Sequence, residues 1–248
     1  MSMLMTASLI TNVQPHKKIA ILQSNYIPWK GYFDLINSVD EFILYDDMQY
    51  TRRDWRNRNK IKTPQGLTWL TIPVEVKGKY FQKIKETLIS DSRWGIIHWK
   101  SIQGNYALAK HFNDYKDVFE EFYRNTAERY LSQVNYQLVK IICGLLRIKT
   151  KISWSTDYVV RDGKTERLID LCQKTGATEY ISGPAAKDYI ETKLFEDSNI
   201  KLTYFDYSGY SEYRQLFPPF EHGVSIIDLL FNEGPKANQY MKSFKTPP

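Results

Sequence analysis

The chain has 248 residues, 42% of them hydrophobic, with a net charge of +6. That length holds one large or two small domains, and that apolar fraction excludes a largely disordered chain. No run of 18 apolar residues occurs, so no membrane-spanning helix is read, and the positive balance suits anionic ligands such as nucleotide-activated metabolites, membrane-linked phosphates or nucleic acid.

The first residues, Met1 to Ile10, lack a basic segment and are interrupted by polar residues, so no signal peptide is read. Residues 1–16 are expected to be a flexible lead. Lys18–Gln23 reads as a buried strand, Gly31–Ser38 as a short helix and Phe42–Tyr45 as a second strand, together a βαβ unit. Leu67–Pro73 and Lys83–Ile89 look like two further strands joined by a turn at Gly78. Trp94–Lys110 reads as helical. Asp114–Lys149 carries apolar residues at a 3/4 spacing with a break near Asn125.

The second half alternates again. Lys151–Ser155 is expected as a strand, and Thr165–Thr175 as a helix capped by Gly176. Thr178–Ser182 (strand), Pro184–Phe195 (helix), Lys201–Tyr207 (strand) and Val224–Phe231 (helix) follow. The fold class read from this pattern is α/β: a mostly parallel sheet with flanking helices. Residues 17–240 form one domain, with a helical segment inserted at about 94–149. Cys143 and Cys172 lie in apolar helical patterns with no C-x-x-C pair, which suits buried free thiols in a reducing cytoplasm.

Residues 41–62 carry the densest chemistry. A short apolar run ends on Asp46 and Asp47, and a cationic loop follows with Arg52, Arg53, Arg56, Arg58, Lys60 and Lys62 around Trp55. Guanidinium forks bind phosphate bidentately, and carboxylates accept sugar hydroxyls or hold a divalent cation. The loop after the first strand contains Tyr26, Trp29 and Gly31 but neither a dinucleotide nor a P-loop glycine fingerprint. It leads into a helix N-terminus, where free amides favour anions, and Gly31 would let a ligand approach the backbone. Ser182-Gly183 offers a second strand-to-helix junction of that kind. His98 and His222 are candidate general bases, His111 is similar to His98, and His222, near a turn, is the better placed. There is no H-E-x-x-H or Cys/His cluster and no G-x-S-x-G elbow, against a structural zinc and an α/β-hydrolase.

Several segments together resemble the WbqC-like family of bacterial proteins. They are Gln23 with Tyr26 to Phe33, Asp40-Glu41-Phe42, Asp46 to Tyr50 (including Gln49), Trp55 to Ile61 (including Asn59), Trp69 to Val74, Tyr180 to Gly183, and Ser225 to Phe231. The resemblance covers roughly residues 17–235 and departs at Ser24, where the pattern has proline. It implies a link to O-antigen or other surface-polysaccharide gene clusters, and it assigns no reaction. A looser similarity is to nucleotide-binding HUP-like or Rossmann-like nucleotidyltransferases, whose His-x-Gly-His loop is replaced here by Pro28-Trp29-Lys30-Gly31.

The leading expectation is an enzyme transferring an acyl or aminoacyl group to the amine of a nucleotide-linked sugar. Arg52, Arg56, Arg58 and Lys60 would hold the diphosphate, and Asp46 or Asp47 would hold the sugar or orient its amine. Tyr26, Trp29 or Trp55 would stack on base or sugar, and His98 or His222 would take the proton. Gln23, Gly31, Gln49, Tyr50, Asn59, Ser182 and Gly183 complete the expected contacts. The donor would be an acyl-CoA or another activated carboxylate. One alternative is a glycosyltransferase or nucleotidyltransferase using Asp46, Asp47 and Mg²⁺. The other is a nucleic-acid-binding module, disfavoured because the basic residues sit in one loop rather than along a stripe.

Overall fold

The computed structural model describes residues 16–245. The strands are β1 Lys18–Leu22, β2 Glu41–Leu44, β3 Arg58–Thr63, β4 Gly66–Thr71, β5 Lys151–Trp154, β6 Glu179–Ser182 and β7 Lys201–Tyr204. Five of them form a parallel sheet in the order β5-β2-β1-β6-β7, and β3 and β4 pair as an antiparallel hairpin. The helices are α1 Lys30–Asn37, α2 Trp94–Tyr106, α3 Phe112–Asn125, α4 Leu131–Leu146, α5 Thr165–Thr175, α6 Thr192–Asp197 and α7 Ile226–Glu233. Among the described residues no helix is long and apolar enough to cross a membrane.

The alternation of side chains along a strand sorts the core into two layers. Ile19, Ile21 and Ile43 face a cluster with Leu168, Leu171 and Cys172 of α5 and Phe195 of α6. Ala20, Phe42 and Leu44 face a larger cluster built from α1, α2, α3, α4 and α7. Central parallel strands covered on both faces need apolar residues at successive positions, which is why β1 and β2 read as short unbroken runs. The expected break near Asn125 is the α3–α4 junction, and Gly176, at φ 70°, caps α5 as its position after the last apolar residue suggests. Both cysteines are buried and free.

Strands β2 and β5 lie to one side of β1, and β6 and β7 to the other. This is a Rossmann-like order. The loops after β1 and β6 leave their strands in opposite directions, which opens a crevice at the carboxyl edge.

Three expectations need correction. The cationic stretch is not wholly a loop, because Arg58–Thr63 is strand β3, and Gly66–Thr71 pairs with it rather than with Lys83–Ile89. Asn59 and Ile61 are buried while Arg58 and Lys60 are only half-buried, so a period-2 pattern lay under the first half of the run of positive charge; it ends at Lys62, which is buried and donates to the Pro219 carbonyl. Lys83–Ile89 forms isolated bridges around a 3-10 turn at Ile84–Glu86. Pro184–Phe195 divides into a 3-10 turn, Pro184–Asp188, and the short α6. The expected lead lies outside the described residues apart from His16, whose Nε2 is 3.0 Å from Glu179 Oε2.

Glu41 anchors the amino edge of the sheet. Burial pushes its carboxyl up, but Lys17 (2.7 Å), Tyr158 (2.7 Å), Ser153 (2.7 Å) and Lys151 (3.0 Å) overcome that and hold it at about 2. A depressed carboxylate stabilises the fold above its unfolded value and loses that contribution as pH falls through the folded one. Glu41→Ala should therefore cost roughly 2–4 kcal/mol in urea unfolding at pH 7, with the gap to wild type narrowing between pH 4 and 2. An unchanged midpoint at pH 7 would remove Glu41 from the anchor.

Candidate functional site

A cavity of about 790 Å³ occupies the crevice at the carboxyl edge. Its walls come from the end of β1 (Gln23), the residues after β2 (Tyr45, Met48), Arg56, Lys164 just before α5, and the Ser182-Gly183 junction after β6. The sequence alone separates these residues by up to 160 positions, and the parallel topology gathers them. A cavity of this size accommodates a drug-sized or nucleotide-sized ligand.

A second cavity, of about 310 Å³, lies over the ends of β2 and β5 and is lined by Asp46, Asp47, Lys85, Ser132, Gln133 and Ser155, among others. Asp46 is 1% exposed. Its Oδ1 accepts the Ser24 amide at 2.7 Å, and its Oδ2 has no hydrogen-bond partner among the described residues. Burial pushes its carboxyl up to about 6, against the pull of Ser24 and of the Arg56 guanidinium. A buried carboxylate with one uncommitted oxygen and a raised pKa marks a functional candidate. Asp47 is different. Its Oδ1 accepts Ser155 Oγ at 2.5 Å and its Oδ2 pairs with Arg167, so both oxygens are engaged. Among the described residues no group of three or more His, Cys, Asp or Glu side chains is arranged to hold a metal ion.

Arg56 stands by both cavities: it lines the larger and acts on Asp46 in the smaller. Its guanidinium donates to Asn25 Oδ1 and lies 3.5 Å from Asp54, while Nε is unpartnered among the described residues. The other expected phosphate ligands are placed elsewhere. Arg52 donates to the Val76 carbonyl at 2.9 Å. Arg58 stacks 4.1 Å from the Trp69 ring centre and donates to the Arg53 carbonyl, and Lys60 sits 5.1 Å from the same ring. Arg58 and Lys60 belong to the hairpin surface, and Arg52 lines a separate cavity of about 240 Å³ with Gln49, Tyr50, Val76 and Tyr80; none of the three lines the crevice. Gln49 donates to the Tyr80 carbonyl at 3.0 Å, beside the buried Tyr50.

Of the aromatic residues of the first loop, Tyr26 is committed to the core, and Trp29 packs over Gly31 while lining a small cavity. Tyr26 is fully buried, with its hydroxyl 2.7 Å from His98 Nδ1 and 2.8 Å from the Tyr123 hydroxyl. Asn59 donates to the Tyr26 and Ile27 carbonyls at 3.1 and 2.9 Å, which holds Ile27 at φ 35°, a strained value for a β-branched residue. Gly31 makes room for the Trp29 indole rather than a ligand, since a Cβ there would meet the ring at 2.3 Å. Lys30 is caged beside Tyr210 and Tyr213, and burial lowers its ammonium to about 8 despite Asp34 and Glu212.

His98 is corrected as a base. It is 4% exposed, its Nε2 lies 3.2 Å from the Thr71 carbonyl, and burial lowers it to about 4. His222 is exposed but borders a separate cavity of about 310 Å³ with Trp29, Trp55, Asn25 and Asn59. Tyr45, Lys164 and Tyr207 line the crevice and were missed by sequence reasoning. Only the rule that ligands sit beyond the carboxyl ends of parallel strands could have pointed to them.

Asp46 carries a direct thermodynamic signature. A carboxyl raised in the fold is stabilising while protonated and loses that contribution as pH rises through its folded value. Asp46→Asn should therefore raise the melting temperature by several degrees at pH 8, corresponding to about 2–3 kcal/mol, with the gain vanishing near pH 4. A lower melting temperature at pH 8 would mean that the charge is structurally required.

The chain is similar to an uncharacterised protein of Mycobacterium tuberculosis (strain ATCC 25618 / H37Rv), 54% identical over 226 residues that cover 91% of this chain and 98% of that one. No solved structure matches it. The model of the WbqC-like protein family matches residues 23–240, and on that match the chain belongs to the WbqC-like family.

Proposed function

We propose that this protein transfers an acyl or aminoacyl group to the amine of a nucleotide-linked sugar, in the building of a surface polysaccharide. The observation that carries the reading is the 790 Å³ cavity at the switch point of a parallel sheet, with Arg56 between it and the uncommitted oxygen of Asp46. Crevices of this kind receive nucleotides in open α/β sheets. Arg56 and Lys164 are cations for the diphosphate, and Tyr45, Tyr189 and Tyr207 offer rings to the base. The second cavity, polar through Ser132, Gln133 and Ser155, suits a sugar with its hydroxyls.

The chemistry asks little more of the protein. The neutral sugar amine attacks the carbonyl carbon of an activated donor. The new C–N bond forms as the bond to the donor's leaving group breaks, and Asp46 takes the proton that the amine nitrogen sheds. The leaving group, a thiolate if the donor is a thioester, departs with the electron pair and takes up a proton from solvent. A carboxyl poised near 6 is ionised at neutral pH and is a stronger base than an ordinary aspartate. Asp47, tied to Arg167 and Ser155, fixes the end of β2 from which Asp46 projects.

The test combines a thermal-shift panel of nucleotide-linked amino sugars with turnover assays. One such ligand should raise the melting temperature by mass action. Arg56→Lys should weaken its binding by about 1–3 kcal/mol. Asp46→Asn should keep the binding and lose roughly 10²–10⁴ in kcat, and wild-type kcat should fall tenfold per pH unit below about 6. Stabilisation by none of the panel, or full turnover in Asp46→Asn, overturns the proposal.

A further inference from the structure

The most exposed aromatic pair lies outside the crevice. Tyr80 is 74% and Phe81 80% exposed, and their rings meet edge to face at 4.9 Å. They stand at the tip of the loop that joins the residues after β4 to the Ile84–Glu86 turn. The loop is Lys77-Gly78-Lys79-Tyr80-Phe81-Gln82-Lys83-Ile84-Lys85, four lysines and no acid. Of the two carboxylates that flank it, Glu75 Oε2 pairs with Lys79 Nζ at 2.5 Å, while Glu86 Oε2 accepts the Lys83 amide at 3.0 Å and keeps its charge. Lys77, Lys83 and Lys85 are exposed and make no ion pair among the described residues.

The loop is held in place rather than loose. Gln49 donates to the Tyr80 carbonyl at 3.0 Å, Gln82 to the Glu75 carbonyl at 2.8 Å, and Arg52 to the Val76 carbonyl at 2.9 Å. The last of these brings the exposed Arg52 to the same surface. Water therefore faces two aromatic rings on a loop whose backbone is held, with four lysines around them against the flanking Glu75 and Glu86.

From this arrangement we infer that the Tyr80–Phe81 loop docks the protein on the surface of an anionic lipid bilayer. Aromatic rings on a projecting tip match the interfacial zone, where an apolar ring lodges at headgroup depth, and lysines around them meet anionic headgroups. An acidic protein partner is the less fitting occupant, because protein anchors work by filling a pocket and are buried at the centre of a patch. The segment continues to Lys85, whose amide donates to the Asp46 carbonyl at 2.8 Å and whose side chain lines the Asp46 cavity. The inference rests on the loop alone and stands whether or not the acyl-transfer reading holds.

The experiment is co-sedimentation of the full chain with vesicles of phosphatidylcholine alone and of phosphatidylcholine with one third phosphatidylglycerol. Binding should appear only with the anionic vesicles and weaken as salt rises. Tyr80→Ser with Phe81→Ser should reduce the partition constant at least tenfold at unchanged melting temperature, and so should Lys77→Gln with Lys83→Gln. Val159→Ser, at a site 88% exposed elsewhere, should leave it unchanged. No partition into anionic vesicles at low salt overturns the proposal and turns the loop towards a protein partner. Equal partition of the Tyr80/Phe81 variant overturns it as well.

Discussion

The contact between the Ser24 amide and the Asp46 carboxylate sets the geometry of the carboxyl edge. It joins the end of β1 to the end of β2, the two strands at the centre of the βαβ unit. The Ser24 hydroxyl then accepts from Asn135 of α4 at 3.0 Å, and Asn135 also reaches the Arg56 carbonyl at 2.9 Å. One buried cluster therefore sets the positions of the first loop, the second strand, the inserted helices and the arginine between the cavities. A proline at position 24 would have no N–H to offer Asp46. The residue at position 24 is thus tied to how Asp46 is held in this chain.

That cluster also explains why two adjacent aspartates differ. The two side chains meet different neighbours: Asp46 turns to the Ser24 amide, and Asp47 to Ser155 and α5. On α5 waits Arg167, and Asp47 becomes a structural ion pair. On the other side one backbone amide meets Asp46, too little to offset burial, and its carboxyl rises. The difference arises from what the two helical layers present, not from the local sequence.

The aromatic surplus divides in a similar way. Tyr26 is consumed by a buried chain of polar contacts with His98 and Tyr123. Trp29 lies over Gly31 and against Tyr207 and Tyr210, closing the strap of residues 205–222 onto the start of α1. Asp228 gathers the hydroxyls of Tyr106 and Tyr213, each at 2.8 Å, beneath the same strap. Rings that look like a stacking platform in the sequence mostly hold loops down on the core. The rings left in water are few: the Tyr80–Phe81 tip, Tyr189, Tyr130 and the Trp55–Trp69 pair on the hairpin.

The sequence by itself determined the alternation of strands and helices, the class of sheet, the paired inserted helices with their break near Asn125, and the cap at Gly176. Each of these is written in neighbouring residues, as an apolar period or a backbone preference. It also marked Asp46 and Arg56 by their chemistry. Only the tertiary structure decided that Arg58 stacks on Trp69, that His98 is buried and neutral, and that Tyr45, Lys164, Ser182 and Tyr207 share one crevice. Burial and strand order are properties of contacts between distant segments. A run of cations reads the same in sequence whether its side chains meet a ligand, a carbonyl or an indole, and the three cases separate only once the sheet has brought its carboxyl ends together.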